Sequence, residues 1–215
     1  MAKRKIKIIP SLLAPNKAEF IKQFKKVSPY FKHLQIDIMD GRLVKTKNTL
    51  APQAIKNLTR RHQLEIHLMV KDVPHYINSW LKLKNVQKII WHYEADKNIR
   101  HIMFLNKYLK AHKIKTGLAI NPSTSLAKIK NIIADFDTIQ LMAVTPGRQG
   151  QKFETKIIPK IKALRYKFPQ INIEIDGGVN NQTFRPLKRA GASIVCPGAY
   201  FQKSTNIRQS LNKLK

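Results

Sequence analysis

The sequence predicts an α/β fold, a (β/α)8 TIM barrel formed by a single domain over residues 1–215. Apolar strand segments alternate with helical segments eight times, without a linker or a low-complexity tract. The strands have the aliphatic composition of buried parallel strands, whose two faces are both covered. With 43% hydrophobic residues, the chain can bury one substantial core. Eight strand-helix pairs favour a closed barrel, and an open doubly wound sheet is the alternative.

Residues typical of helix N-caps mark the start of two helices among the first four strand-helix pairs. Asn16 is a helix N-cap with Glu19 three residues later, and Asp72 caps another helix. A longer loop follows the second strand. The predicted order is strand 6–12, helix 16–27, strand 33–41, loop 41–50, helix from 52, strand 64–69, helix from 73, strand 86–92 and helix 98–111.

Asparagine, proline and glycine turns mark the last four pairs. Asn121-Pro122 ends the fifth strand, and Pro197-Gly198 turns after the eighth. The predicted order is strand 115–120, helix 125–133, strand 138–144, glycine-bearing loop 145–151, helix 155–168, strand 171–176, helix 182–190, strand 193–196 and helix 207–214.

Three predicted strands each carry a chemically active side chain near the carboxyl end. In each of them aliphatic residues alternate with polar ones, which places the two sets on opposite faces. The polar sets include Asp37, His67 and Asp176. A single such residue is often only a strand cap. Three together predict a site that binds a metal ion or moves a proton.

A barrel brings these side chains together, because the carboxyl ends of all its strands face one mouth. His92 and Asn121 end two further strands and are expected at the same mouth. The loops after the sixth, seventh and eighth strands contain glycines, whose backbone N–H groups can approach a phosphate closely. These glycines predict a phosphate site and are Gly147, Gly150, Gly177, Gly178 and Gly198.

The chain is strongly basic, with 41 Lys and Arg against 12 Asp and Glu and a formal charge of +29. A charge of this size makes nucleic acid a partner to be considered. The basic residues are spread along the chain, however, and no zinc-finger spacing, basic tail or aromatic RNA-binding signature is present. We therefore expect no specific nucleic-acid partner and a basic coat that avoids the interior. Such a surface also attracts a phosphorylated small substrate.

Cysteine content and hydropathy predict a cytoplasmic protein. The one cysteine, Cys196, excludes an internal disulfide and reads as a small buried hydrophobe. The basic segment Lys3–Lys7 is followed by only two apolar residues before Pro10, too few for a secretion signal. No apolar run reaches the length of a membrane span.

Several short motifs, in order along almost the whole chain, carry a family resemblance. They are Pro10–Ala14, Asp37–Gly41, Ile66–Val70, His92–Ala95, Asn121-Pro122, Leu141-Met142, Pro146-Gly147, Glu174–Gly178 and Gly198-Ala199. Together they resemble the ribulose-phosphate 3-epimerase family. This resemblance implies a (β/α)8 barrel that interconverts D-ribulose 5-phosphate and D-xylulose 5-phosphate in the pentose phosphate pathway. It also implies a homo-oligomer.

The resemblance implies one divalent metal ion, Zn, Mn, Fe, Co or Mg, with Asp37, His67 and Asp176 as ligands. Gln35 stands where the family has a fourth ligand, histidine. A glutamine oxygen suits Mg or Mn better than Zn. Asp37 and Asp176 would act as acid and base on opposite faces of the substrate.

The same resemblance implies a set of substrate contacts. They are Ser11, His67, Gly147, Arg148, Gln149, Gly150, Gly177, Gly178, Gly198 and Ala199. Arg148, Gln149 and Ala199 differ from the residues usual in the family. Met39, Met69 and Met142 are either an apolar floor of the site or ordinary core residues. Two alternatives stay open: a 3-epimerase of a related ketose phosphate such as a hexulose 6-phosphate, and a phosphosugar-binding barrel with impaired catalysis.

Overall fold

The computed structural model describes residues 6–48 and 50–214. It contains nine strands in one parallel sheet. They are β1 (Lys7–Ile8), β2 (Ser11–Leu12), β3 (His33–Met39), β4 (Gln63–Met69), β5 (Val86–His92), β6 (Lys115–Ile120), β7 (Thr138–Met142), β8 (Asn172–Asp176) and β9 (Ile194–Cys196). Their order in the sheet is β1-β9-β8-β7-β6-β5-β4-β3-β2.

The first predicted strand, 6–12, is interrupted, and the interruption closes the barrel. β1 pairs with β9, whereas β2 pairs with β3. Between them, the Ile9 N–H donates to the carbonyl oxygen of Val195 at 3.0 Å. The Pro10 carbonyl then accepts from the Gln35 N–H at 3.0 Å. The two edges of the sheet therefore meet in one short segment, which confirms the predicted TIM barrel over the open sheet.

Most predicted helices are confirmed, with the side-chain caps read from the sequence. Asn16 accepts from the Glu19 N–H at 3.0 Å, and Asp72 accepts from the His75 N–H at 3.2 Å. None of the helices in the described part of the chain is long and apolar enough to span a membrane. The helices are α1 (Lys17–Val27), α2 (Pro52–Thr59), α3 (Val73–Trp80), α4 (Tyr93–Asp96), α5 (Ile99–Ala111), α6 (Ile157–Lys167), α7 (Asn181–Ala190), α8 (Ala199–Gln202) and α9 (Ile207–Asn212).

The helix predicted over 125–133 is wrong. Two 3-10 turns, Leu126–Lys128 and Ile133–Asp135, replace it. Successive hydrogen bonds in this segment span three residues, as between the Ile132 N–H and the Ile129 carbonyl at 3.0 Å. A 3-10 turn advances about 2.0 Å per residue against about 1.5 Å in an α-helix. The segment thus covers more distance between β6 and β7 while it still buries its isoleucines.

The two faces of the strands differ as the alternation predicted. On β3, Leu34, Ile36 and Ile38 are buried in the hydrophobic core, whereas Gln35 and Asp37 lie on the opposite face. That opposite face lines the barrel interior, which is largely polar. The carboxyl half of this interior contains the candidate site.

One basic residue contradicts the expectation that lysine and arginine avoid the interior. Lys88 on β5 is buried and forms ion pairs with Glu65 on β4 and Glu174 on β8. A buried lysine is tolerated there because two carboxylates compensate its charge. Lys3–Lys5, part of the basic amino-terminal segment, lie outside the described residues.

Candidate active site

Three buried side chains from β3, β4 and β8 meet in the carboxyl half of the barrel. The register of β3 and β4 places Asp37 next to His67, and β8 brings Asp176 from across the interior. His67 Nδ1 lies 2.9 Å from Asp37 Oδ1 and 3.2 Å from Asp176 Oδ2. One potential ligand atom from each residue lies within 4.8 Å of the other two. The structure thus brings together the three predicted metal ligands.

This donor set fits a divalent cation. Two carboxylates and one imidazole are ligands for zinc, manganese, iron and cobalt, and the carboxylates also suit magnesium. The group is buried and points into the barrel. Asp37, His67 and Asp176 can therefore hold a metal ion, as the family resemblance implied.

The electrostatics of the cluster reflect two carboxylates sharing one imidazole. Burial lowers the pKa of His67, but hydrogen bonds and charges of Asp176 and Asp37 outweigh it and raise the pKa to about 9. Burial raises the pKa of Asp37 to about 6, and the nearby Asp176 charge acts in the same direction. The cluster therefore attracts a positive charge, whether a proton or a cation.

Gln35 lies directly beneath the two carboxylates and is fully buried. Its Nε2 donates to Asp37 Oδ1 at 3.1 Å and to Asp176 Oδ2 at 3.1 Å. Its Oε1 accepts from the Cys196 thiol at 3.3 Å. Cys196 is buried as predicted, but it also borders the site, which the sequence did not indicate.

A cavity of about 290 Å³ opens above the cluster. It joins Asp37 and Asp176 to the predicted phosphate loops and to a basic side chain that the sequence analysis missed, Lys203. The predicted site residues in its lining are Ser11, Asp37, Met69, Met142, Gly147, Arg148, Gln149, Gly150, Asp176, Gly177, Gly178, Gly198 and Ala199.

Three predicted site residues are not part of that lining. Gln35 and His67 are fully buried below it, and Met39 is fully buried where it pairs with Met69 across β3 and β4. The apolar part of the cavity next to the carboxylates therefore includes Met69 and Met142.

Glycine is required at these loop positions either by the backbone conformation or by lack of space for a side chain. Gly147, Gly177 and Gly178 have φ angles of +104°, +98° and +66°, in the left-handed region that disfavours other residues. A Cβ on Gly198 would lie 2.6 Å from both Ser11 Oγ and the Gln149 Nε2. These positions keep the cavity open and allow close approach of a ligand to the backbone.

Two residues that contact His67 complete the site. His67 Nε2 lies 2.9 Å from His92 Nε2 and 3.0 Å from Gln140 Nε2. His92 was expected at this mouth, and its Nδ1 in turn lies 3.3 Å from Glu94 Oε2. Gln140 was missed, although it alternates with aliphatic neighbours in β7 as the predicted site residues do.

Comparison with known proteins identifies the family that the sequence motifs resemble, and the match extends along nearly the whole chain. The profile of the Ribulose-phosphate 3 epimerase family matches residues 7–202. A ribulose-phosphate 3-epimerase from Helicobacter pylori strain 26695 is 33% identical over 222 residues, covering 96% of this chain and 100% of that protein. One from Bacillus subtilis is 29% identical over 218 residues, covering 98% of each.

Solved structures with less sequence similarity share the fold. 3-Hexulose-6-phosphate synthase from Salmonella typhimurium superposes with a TM-score of 0.72 at 14% identity, covering 97% of this chain and 96% of that chain. 3-Keto-L-gulonate-6-phosphate decarboxylase from Vibrio cholerae gives a TM-score of 0.70 at 13% identity, with coverage of 99% and 96%. The family match, the relatives and the barrel agree, and the chain belongs to the ribulose-phosphate 3-epimerase family of isomerases.

Proposed function

We propose that this protein is a metal-dependent 3-epimerase that interconverts D-ribulose 5-phosphate and D-xylulose 5-phosphate in the pentose phosphate pathway. The observation that carries the proposal is the buried pair Asp37 and Asp176 with His67, below a cavity bordered by glycine loops. Family membership supports a phosphorylated sugar as the substrate.

The reaction needs two proton-transferring groups. Inversion of a carbon next to a ketone requires removal of its proton, stabilisation of the enediolate and return of a proton to the opposite face. Asp37 and Asp176 approach the cavity from β3 and β8, which lie three strand positions apart around the barrel and so can flank a bound substrate. In each direction of the epimerisation, one of the two aspartates acts as base and the other acts as acid. Burial raises the pKa of Asp37 to about 6, closer to neutral pH.

A divalent cation, when bound by Asp37, His67 and Asp176, supplies positive charge for the oxygen atoms that become negative. His67 is held for this role by His92 and Gln140, which lie within 3.0 Å of its Nε2. Met69 and Met142 border the reacting region with apolar surface and reduce the access of water.

The phosphate end of the substrate fits the other side of the cavity. Glycine backbone from the loops after β7, β8 and β9 lies there, together with Arg148 and Lys203. Their positive charge favours an anionic group. The formal charge of +29 also raises the local concentration of anionic substrates, so nucleic-acid binding is expected to be non-specific and salt-sensitive.

A coupled assay tests the proposed function. Purified protein, with its metal content measured, is incubated separately with ribulose 5-phosphate and with hexulose 6-phosphates. We expect epimerisation of ribulose 5-phosphate. Preferential turnover of a hexulose 6-phosphate would support the sister enzyme, and binding of both without turnover would support an impaired barrel.

Two further aspects belong to the proposal. We expect a homo-oligomer, because the family resemblance implies one, and a cytoplasmic location, because the sequence has one cysteine and no apolar run of signal or membrane-span length. Light scattering behind a sizing column distinguishes an oligomer from a monomer of 24.8 kDa.

A further inference from the structure

Gln35 occupies an unusual place, because its amide lies between two buried carboxylates. We propose that Gln35 is a positioning residue and not a fourth metal ligand: its amide nitrogen spaces Asp37 and Asp176, so that only three protein groups hold the cation. This inference rests on the proposed function as far as the cation is concerned. It concerns the one position where the chain departs from the histidine of the family's ligand set.

The two carboxylates select the orientation of the amide. Gln35 Nε2 lies 3.1 Å from Asp37 Oδ1 and 3.1 Å from Asp176 Oδ2, so each of its two N–H groups has one acceptor. The opposite orientation would place Gln35 Oε1 at that distance from two negatively charged oxygens. Such a contact is repulsive and offers no hydrogen bond.

The surroundings of the Gln35 carbonyl are compatible with the same orientation. Cys196 Sγ lies 3.3 Å from Gln35 Oε1 and 3.1 Å from Glu174 Oε1, so its single hydrogen can be donated to either oxygen. In this orientation the Gln35 carbonyl oxygen faces Cys196 and points away from the oxygens that would ligate a cation.

A neutral double donor offsets the repulsion of the carboxylates in a way that a ligand does not. Asp37 and Asp176 are both buried, and like charges at such a site disfavour each other. The Gln35 amide donates one hydrogen bond to each carboxylate and so stabilises both. A site with three protein ligands also leaves one more position open for substrate oxygens than a site with four.

The visible spectrum of bound Co²⁺ tests the proposal, because its d–d bands depend on the coordination number and the ligands. Gln35→Met keeps the length of the side chain but removes both donors. We expect the cobalt bands to keep their position and intensity. We also expect kcat to fall roughly tenfold to hundredfold, as for loss of hydrogen bonds to charged groups, with little change in KM. A purely structural role would lower Tm and leave kcat unchanged.

Two further variants complete the comparison. Gln35→His adds an imidazole, so it should change the cobalt bands and tighten Zn²⁺ binding relative to Mg²⁺ by about tenfold or more. Gln53→Met, on the exposed side of α2, is the matched control and should leave every reading unchanged.

Loss or shift of the cobalt bands in Gln35→Met would show that Gln35 ligates the metal and would overturn the proposal. If that variant does not fold, Gln35→Asn gives the same test, since its shorter side chain withdraws the amide from the site. The spectrum does not depend on which sugar is turned over. Failure of the proposed activity and failure of this inference are therefore separate results. Absence of a cobalt site in the native protein would also contradict it.

Discussion

The barrel interior contains two layers built from the same kinds of group, two carboxylates and one nitrogen base. The lower layer combines Glu65, Lys88 and Glu174, with Lys88 Nζ 3.1 Å from Glu65 Oε1 and also paired with Glu174. The upper layer combines two aspartates with His67. All the members of both layers are buried. Asp37 and Asp176 of the upper layer border the cavity between the glycine loops, whereas Glu65 and Lys88 border a separate cavity at the other end of the barrel.

The layers differ in whether their positive charge can be exchanged. Burial lowers the pKa of Lys88, but the charges of Glu174 and Glu65 outweigh it and raise the pKa above its usual value. Lys88 therefore stays protonated, and the lower layer is a fixed ionic contact. His67 can release its proton to solvent and accept a cation instead. Similar sets of charges thus form a fixed ionic contact in one layer and a group able to bind a cation in the other.

The largest effect is expected when the upper layer loses a carboxylate. Asp37→Asn and Asp176→Asn keep the shape but remove a base, so epimerisation should fall by at least ~10²–10⁴-fold. In deuterated solvent, one variant should still exchange the C3 proton of ribulose 5-phosphate, and the other that of xylulose 5-phosphate. Mass spectrometry of the recovered sugars measures this.

The exposed Asp135→Asn on the surface is the control and should retain activity. Because both aspartates are proposed metal ligands, the metal content of each variant is measured alongside. Full activity in either active-site variant with metal bound would contradict the two-base mechanism.

The next effect is expected in the lower layer and concerns stability. Lys88→Met leaves Glu65 and Glu174 without their shared cation, so the free energy of unfolding should fall by about 3–5 kcal/mol. Urea denaturation followed by circular dichroism measures it. Lys107→Met, at an exposed position on α5, should change it by less than about 0.5 kcal/mol. A loss below about 1 kcal/mol for Lys88→Met would mean that the lower layer is not a buried ionic contact.

A smaller effect should follow when the support of His67 is removed. His92→Phe deletes the nitrogen that lies 2.9 Å from His67 Nε2, and losses of such contacts weaken metal binding by roughly 10–100-fold. Equilibrium dialysis with Zn²⁺ or Mn²⁺ measures the change. His75→Phe, on the exposed side of α3, is the control. Equal affinity of His92→Phe and the native protein would show that His92 does not orient the ligand.

The smallest effect is a gradual dependence of metal binding on pH. Hydrogen bonds and charges of Asp176 and Asp37, which outweigh burial, raise the pKa of His67 to about 9, so His67 is protonated at neutral pH. A metal must displace that proton, and affinity should rise about tenfold per pH unit between about pH 7 and 8.5. It should level off above about pH 9. Calorimetry in buffers of different ionisation enthalpy counts the released protons, and a count of zero would contradict this assignment.

Local patterns in the sequence were sufficient for the fold and for the principal groups of the site. Alternation within strands placed Asp37, His67 and Asp176 on the interior face, and the barrel architecture placed them at one mouth. The glycine loops were recognisable because glycines follow three successive predicted strands, and positive φ angles explain the glycine at positions 147, 150, 177 and 178. The helix proposed over 125–133 failed because its isoleucine spacing suits both an α-helix and successive 3-10 turns.

The sequence by itself thus determined the alternating elements, the barrel and the three candidate ligands, because each of these depends on local periodicity. Only the tertiary structure decided which polar residues meet inside the barrel. Lys88 contacts Glu174, and Gln35 contacts Asp176 and Cys196. The partners in each of these contacts are more than 80 residues apart in the sequence. Such contacts depend on the register of strands around the closed sheet, and no local pattern encodes that register.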